Sequence, residues 1–305
     1  MNSNMAHPHG SMGGPDTESH SPTNLHRYGH PFKQKHRGDE NMTRLMHINI
    51  NHFPLTHNRM ENQNFRRFLD ESGTDIVTLV EMNVNWKQIP AQDRLEYRTK
   101  GWWNHSRWSY SYNRHAQTSS RSLQGGTALL TIGDTTCRIW TSNLNDPTGL
   151  GRWTGTRYKG RGQRFISIVS AYKPHDNPGI ATVGGQHETF LVQHNDKRKP
   201  STAFLEDISQ FIQKLQEKGD LIILNMDAND DLSNANSHTS QAIRELGLLH
   251  PMLDSFGPQL PNTYRDGTDP IDGMFISPAL KPSAMGYLAF PDYGKSDHRV
   301  LWMDF

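Results

Sequence analysis

A chain of 305 residues with 32 Lys and Arg against 31 Asp and Glu, a formal charge of +1 at pH 7, can hold one large domain or two small ones, but it is not a globally basic polyanion binder. Its single cysteine, Cys137, excludes an intramolecular disulfide and a thiolate metal centre, and is expected to be a buried structural thiol. No run approaches the roughly 18 to 20 apolar residues of a membrane span, and Met1 to Gly14 has no apolar signal-peptide core; a soluble, intracellular protein is expected, nuclear or cytoplasmic, not secreted and without membrane contact.

Residues 1–42 carry His7, His9, His20, His26, His30 and His36 among Pro, Gly, Ser and Asn, with almost no aliphatic side chains. Such a segment cannot bury enough apolar surface to offset its ordering entropy, so a disordered His-rich tail is expected there and a folded domain over 43–305. Short apolar runs then predict strands at Arg44 to Ile50, Asp75 to Glu81, Gly126 to Ile132, Thr136 to Ser142, Arg164 to Tyr172, Leu221 to Met226, Ile271 to Ser277, Ala284 to Phe290 and Val300 to Met303. Several are continuous rather than alternating, as in strands covered on both faces. Helices interleave with them. Phe65, Phe68 and Leu69 mark one ending at Gly73; Phe204, Ile208, Phe211, Ile212 and Leu215 mark one opening at Ser201 or Thr202 and closing at Gly219; Ile243 and Leu246 mark a weaker one before Gly247. This alternation predicts a single α/β (α+β) domain, a layered sandwich of sheets covered by helices.

Between these elements lie two acid-free basic stretches. One carries Lys100, Arg107 and Arg114 with Trp102, Trp103, Trp108, Tyr110 and Tyr112. The other carries Arg152, Trp153, Arg157, Tyr158, Lys159 and Arg161, with Gly149, Gly151, Gly155, Gly160 and Gly162 suggesting an exposed loop or hairpin. Cations interleaved with aromatics suit phosphate contact plus stacking, so nucleic-acid binding is expected of Arg152, Trp153, Arg157, Lys159 and Arg161, and of Lys173.

Strand ends supply the chemistry. Glu81 closes an apolar strand, where a metal ion is the simplest compensation for its charge. Asp227 and Asn229 follow another such strand at a spacing that aims both to one side, the acid suited to activate water and the carboxamide to donate to a phosphate oxygen. Asn49 and Asn51 bracket Ile50 in the same way, although Asn is disfavoured in strands. Tyr172 ends a strand with a hydroxyl that can reach a phosphate, and Asp272 opens one, placed to accept from an imidazole. Ser296-Asp297-His298 sets an acid beside that imidazole. Oxygen ligands plus one histidine gathered from strand ends are what a Mg²⁺-dependent phosphodiester hydrolase needs, with Mn²⁺ as a substitute.

The ordered series Asn49-Ile50-Asn51, Asp75 to Glu81, Gly125-Gly126-Thr127, Ser170-Ala171-Tyr172-Lys173-Pro174, Asp227-Ala228-Asn229, Ile271-Asp272 and Ser296-Asp297-His298 resembles the endonuclease/exonuclease/phosphatase superfamily, most of all the endonuclease domains of non-LTR retrotransposons. The resemblance covers about Arg44 to Phe305 and implies a four-layer α/β/β/α sandwich of two mixed sheets flanked by helices. It implies Glu81 as principal Mg²⁺ ligand, helped by Asn51 and Asp297. Asp227 and Asn229 would orient or activate the water, Tyr172 would touch the phosphate, and His298, paired with Asp272, would bind the scissile phosphate or stabilise the transition state; whether Asp227 or His298 is the general base stays open. Met226 replaces a common Gly, and Asn51 stands where many relatives have Asp. A DNA-nicking monomer is expected, with a reverse transcriptase of the same element as a partner. No polymerase follows Phe305, so a stand-alone protein, a truncated element or a fragment is expected. The alternatives are a metal-dependent phosphomonoesterase or phospholipid diesterase of the same superfamily, and a catalytically silent nucleic-acid-binding remnant.

Overall fold

The computed structural model describes residues 28–35, 42–53, 59–177, 179–291 and 296–305. Within them the chain forms β1 (Tyr28–Gly29), β2 (Arg44–Asn49), α1 (Arg59–Glu71), β3 (Ile76–Val80), α2 (Leu95–Arg98), β4 (Ser106–Ser111), β5 (Thr127–Ile132), β6 (Ile139–Thr141), β7 (Trp153–Lys159) and β8 (Phe165–Tyr172). Then follow α3 (Val183–Gln193), α4 (Pro200–Glu217), β9 (Leu221–Asp227), α5 (His238–Glu245), α6 (Pro251–Phe256), β10 (Asp272–Ile276), β11 (Ala284–Tyr287) and β12 (Leu301–Asp304). A seven-stranded sheet runs β1-β11-β12-β2-β3-β5-β4 and a five-stranded sheet β10-β9-β8-β7-β6. Both are mixed: β2 pairs with β3 and β8 with β9 in parallel, and the other neighbours are antiparallel.

Side-chain alternation sorts each strand between two layers. Met46, Ile48, Val77, Leu79 and Trp302 turn outward from the larger sheet and pack with Phe65 and Leu69 of α1. Ile222, Leu224, Met226 and Phe275 turn outward from the smaller sheet onto Phe204, Ile208, Ile212 and Leu215 of α4 and Ile243 of α5. Leu45, Ile76, Ile168, Ile223, Met274, Ile276, Leu301 and Met303 meet between the sheets. These are the four layers that the sequence led us to expect. Among the described residues no helix is long and apolar enough to cross a membrane.

Several expectations need correction. The folded part reaches back before residue 43: β1 pairs with β11, and the Lys35 ammonium is buried 2.7 Å from Asp75 Oδ2. One cation reaching a carboxylate inside the fold orders a stretch too polar to build a core of its own. His7, His9, His20, His26 and His36 lie outside the described residues. The stretch read as an exposed loop or hairpin does open a hairpin, β7 with β8, but β7 is mostly buried, and its Gly155 is there for space: a Cβ would stand 2.8 Å from the Ile168 carbonyl of β8. Strand β4, whose SRWSYS sequence carries little apolar signal, was not expected, and neither was α3, whose Gly184 and Gly185 look like a breaker. Both glycines are required by contact, since Cβ atoms there would lie 2.1 Å from the carbonyls of His175 and Gly179. Residues 133–138 make a 3₁₀ turn ahead of β6, so Cys137 is exposed, not buried.

The Lys35 pair gives a direct test of the revised boundary. Lys35→Met should leave Asp75 buried without its cation and lower unfolding stability by about 3 to 5 kcal/mol, read as a shift in urea midpoint; an unchanged midpoint would detach residues 28–35 from the fold.

Candidate active site

On the face between the sheets the inner side chains change from apolar to polar toward one end. Leu45, His47 and Asn49 follow one another along β2, Ile168, Ser170 and Tyr172 along β8, and Ile223, Asn225 and Asp227 along β9. Parallel pairing of β2 with β3, and of β8 with β9, brings their C-terminal ends to the same level. Antiparallel β10 sets its first residue, Asp272, directly opposite Asp227. Both carboxylates are buried, at 0% and 1% exposure.

Their partners come from the other sheet. Asn49 Nδ2 donates to Asp227 Oδ2 at 2.8 Å and lies 3.4 Å from His298 Nε2. His298 Nδ1 is 2.7 Å from Asp272 Oδ2. Ser296 Oγ donates to the Asn49 carbonyl at 2.6 Å, fastening the His298 segment to the end of β2, and the Tyr264 ring packs 5.2 Å from the imidazole. One oxygen or nitrogen from each of Asp227, Asp272 and His298 lies within 4.8 Å of the others.

Beyond the strands the chain turns left-handed. Asn51, Glu81, Asn83 and Asn229 have φ of 39°, 51°, 53° and 44°, a region in which Asn is tolerated and Glu is strained. The Asn49 side chain accepts from the Asn51 amide and the Asp227 side chain from the Asn229 amide, each at 3.0 Å. The paired residues therefore converge through Asx turns; strand alternation, which the sequence suggested, does not bring them together. Asn51 Nδ2 lies 3.4 Å from both Asp297 oxygens. Asn51, Glu81, Asn83, Tyr172 and His175 line one cleft of about 250 Å³.

Charge is concentrated here. Burial and the facing Asp272 raise Asp227 to about 8, against the opposing pull of His298 and the Asn49 hydrogen bond. Burial alone would discharge His298, but Asp272 at its ring, with Asp227 and Glu81 nearby, raises it to about 10. Asp272 in turn is held below the ordinary carboxylate value, burial being outweighed by His298. Burial, then Glu81 and Asp227, push the Tyr172 hydroxyl well above its ordinary range, so it keeps its proton.

No protein-family model matches the sequence, and no curated protein matches it in sequence. Solved structures do match in shape. An AP endonuclease from Leishmania major superposes with a TM-score of 0.59 at 15% identity over 91% of this chain and 92% of its own. The human Nocturnin catalytic domain gives 0.58 at 16% identity over 90% and 96%. The endonuclease domain of TRAS1, a telomere-specific non-LTR retrotransposon, gives 0.53 at 15% over 87% and 98%. The chain has the endonuclease/exonuclease/phosphatase fold. In that fold Asn49, Asn51, Glu81, Tyr172, Asp227, Asn229, Asp272, Asp297 and His298, expected from the sequence, all lie at one end of the sandwich.

The expected nucleic-acid contacts fare differently. Arg152 is buried, donating to Asp146 at 2.7 Å and Asp207 at 2.8 Å, and Trp153 is fully buried against Phe204 and Phe211. Arg157 pairs with Asp220 at 2.6 Å and stacks on Phe165. All three hold the smaller sheet together; the arginines' acids lie outside the basic stretch, Asp146 just before it and Asp207 and Asp220 far along the chain. Lys159 and Arg161 are exposed but stand at and just past the far end of β7, roughly 20 Å from Trp153 at about 3.3 Å per residue. Lys173 alone of the six adjoins the site: its carbonyl accepts from Asn229 Nδ2 at 2.7 Å while its ammonium lies 3.9 Å from Asp230. The aromatics of the earlier basic stretch also serve packing, Trp108 in the core and Tyr110 against Trp86.

Sequence reading missed Asn83, whose side chain takes the Gly125 amide at 2.7 Å and reaches Asn51 Oδ1 at 3.4 Å, and His175 on the cleft wall. The Asn83 signal was present, since it stands two residues past Glu81.

Between its ordinary 3.8 and about 8, folded Asp227 keeps a proton that the unfolded chain has released, so its contribution to stability falls as pH rises. His298, raised from its ordinary 6.5 to about 10, contributes fully below 6.5 and fades only above it, so it does not mask that fall. His47, His187 and His250, held well below 6.5 by burial, add stability that rises with pH up to that value in any variant, so the test is a difference. In thermal melts in EDTA the wild-type midpoint minus that of Asp227→Asn should fall as pH rises across this range, and a constant difference would mean that Asp227 is already ionised.

Proposed function

We propose that this chain is a divalent-metal-dependent endonuclease that hydrolyses phosphodiester bonds in DNA. The observation that carries this reading is the buried Asp272–His298 pair meeting Asp227 and Asn49 beneath a cleft walled by Glu81, Asn51 and Tyr172.

The donor set fits a hard cation. Glu81, Asn51 and Asp297 offer carboxylate and carboxamide oxygens, and the carboxylates of Glu81, Asp297 and Asp272 outnumber the one imidazolium beside them. Asp272 Oδ2 and His298 Nδ1 already bond each other, which leaves Glu81, Asn51 and Asp297 as the residues that would hold the ion. Mg²⁺, or Mn²⁺ in its place, would supply charge neutralisation at the phosphate and acidify bound water.

The protein's own groups supply the rest. His298 stays protonated, and its Nε2 stands 4.0 Å from Asp297 Oδ1, outside hydrogen-bond range, leaving that N–H for a phosphate oxygen. Tyr172 donates a second hydrogen bond from its protonated hydroxyl. Asp227, fixed through both oxygens by Asn49 and the Asn229 amide, titrates near neutrality and takes the proton of the attacking water as its oxygen bonds to phosphorus and the ester P–O bond breaks. Exposed Arg265, whose amide holds the Asp297 carbonyl at 2.8 Å, flanks the cleft and offers backbone-phosphate contact without base readout. The retrotransposon endonuclease among the similar structures makes a retroelement origin, with a reverse transcriptase as partner, the natural setting.

Supercoiled plasmid and Mg²⁺ test the reading. The wild-type chain should yield nicked circles, EDTA and Glu81→Ala should abolish them, and Asp227→Asn or His298→Ala should lower kcat by about 10² to 10⁴. Turnover of a phosphomonoester with intact plasmid, or salt-sensitive DNA binding without cleavage, would replace it with a phosphatase or a silent binding protein.

A further inference from the structure

Among the buried imidazoles that the reaction does not use, one faces a carboxylate of the site. His47 lies on β2 between Leu301 and Thr78 of the neighbouring strands, fully buried and facing the smaller sheet. Its Nε2 is 3.8 Å from Asp272 Oδ1, and among the described residues neither atom has a hydrogen-bond partner. The gap is too narrow for a bridging water, which needs roughly 4.5 Å between the groups it joins given ordinary hydrogen-bond lengths. A buried carboxylate oxygen and a buried ring nitrogen that face each other are favoured when the ring presents its N–H to the oxygen.

The tautomer follows from competition at Thr78. Its hydroxyl accepts from Asn225 Nδ2 at 3.0 Å and lies 3.1 Å from both the Met46 carbonyl and His47 Nδ1. With one proton to give, Thr78 can donate to the carbonyl, which leaves Nε2 bare against a carboxylate, or to Nδ1, which puts the ring proton on Nε2. An N–H turned to a buried carboxylate is attracted to it and a bare ring lone pair is repelled, so the second arrangement wins.

We propose that His47 is a positioning residue whose Nε2–H is turned to Asp272 Oδ1 at 3.8 Å, an electrostatic contact that keeps the carboxylate between two imidazoles so that Oδ2 stays aimed at His298 Nδ1. The role in turnover rests on the phosphodiesterase reading of the site; the contact itself does not. With its Oδ1 side drawn to His47, Asp272 is biased against rotation about its carboxylate axis, and the orientation of His298 toward the phosphate is supported from two residues away.

Imidazole ¹⁵N and ¹H resonances of the wild-type protein read the contact without any substrate: protonated Nε2 and bare Nδ1 on His47 are expected, and the reverse tautomer overturns the proposal even if the chain cleaves DNA. His47→Leu should move the His298 Nδ1 proton resonance and lower kcat for nicking about 10- to 100-fold with little change in KM, and His47→Gln, whose amide can still donate, should recover most of both. Equal loss in the two variants with the His298 resonance unmoved would assign His47 to packing and sink the positioning role. A wild-type protein that shows the Nε2–H signal yet leaves plasmid intact would discard the endonuclease reading while keeping the contact.

Discussion

Two carboxylates placed opposite one another across an antiparallel pair, both out of reach of water, set the terms for everything around them. Asp227 and Asp272 occupy one register position of β9 and β10. Like charges directly opposed on a sheet destabilise it, and burial removes the solvent that would screen them. The smaller sheet's own extension offers Asp227 one backbone donor, the Asn229 amide. Asn49 at the end of β2 and His298 in the segment leading into β12 bond one carboxylate each, so docking of the larger sheet completes what that amide begins. Interface and site are therefore the same structure. Removing either partner would expose a buried charge, which is far costlier than losing a surface bond.

That dependence extends down the interface. Below the carboxylates, Ser170 Oγ donates to the Leu79 carbonyl at 2.9 Å and Asn225 Nδ2 to Thr78 Oγ1 at 3.0 Å. On the far side Ser109 meets Thr156 and Thr131 meets Tyr158. Directional bonds between sheets fix their relative placement in a way that apolar contact does not. A slip of one residue in β9 would turn Asp227 and Asn225 into the apolar layer under α4, so the buried polar groups also specify register. The polar end of the gradient can be catalytic because the apolar end, at Leu45, Ile76, Ile168 and Ile223, carries the packing.

Apolar runs made the strands legible, and polar residues interrupting those runs at one end made the site legible. Asn49, Glu81, Asp227 and Asp272 each stand where an apolar pattern stops, a boundary that sequence shows directly. What stayed hidden depends on partners outside each stretch as read, most of them far along the chain. Arg152, Arg157 and Trp153 form an acid-free block in sequence, yet Asp146, Asp207 and Asp220 neutralise the arginines and Phe204 and Phe211 enclose the indole. Gly155, Gly184 and Gly185 resembled breakers because the backbones that press on them, at Ile168, His175 and Gly179, are not sequence neighbours or not visibly so. His47 looked like any core residue of an apolar strand, and only the opposing sheet reveals the carboxylate it faces.

The left-handed residues at the strand ends explain why side chains from separate strands point at one volume. Asn51 and Asn229 enter that conformation with a local return, each amide bonding the side chain two residues back, so the turn is self-stabilised. Glu81 has no such bond. Its φ of 51° is imposed by the chain on either side: its carbonyl takes the His52 amide at 2.9 Å, and Met82 bonds both Phe53 and Gly126. A strained carboxylate held by backbone ties from two neighbours is fixed before any ligand arrives, and the conformational cost has already been met by folding. The same ties explain why Gly125 and Gly126 stand opposite it: their φ of 91° and 83° let the facing backbone close on Met82 and Asn83, completing the ladder that keeps Glu81 in place.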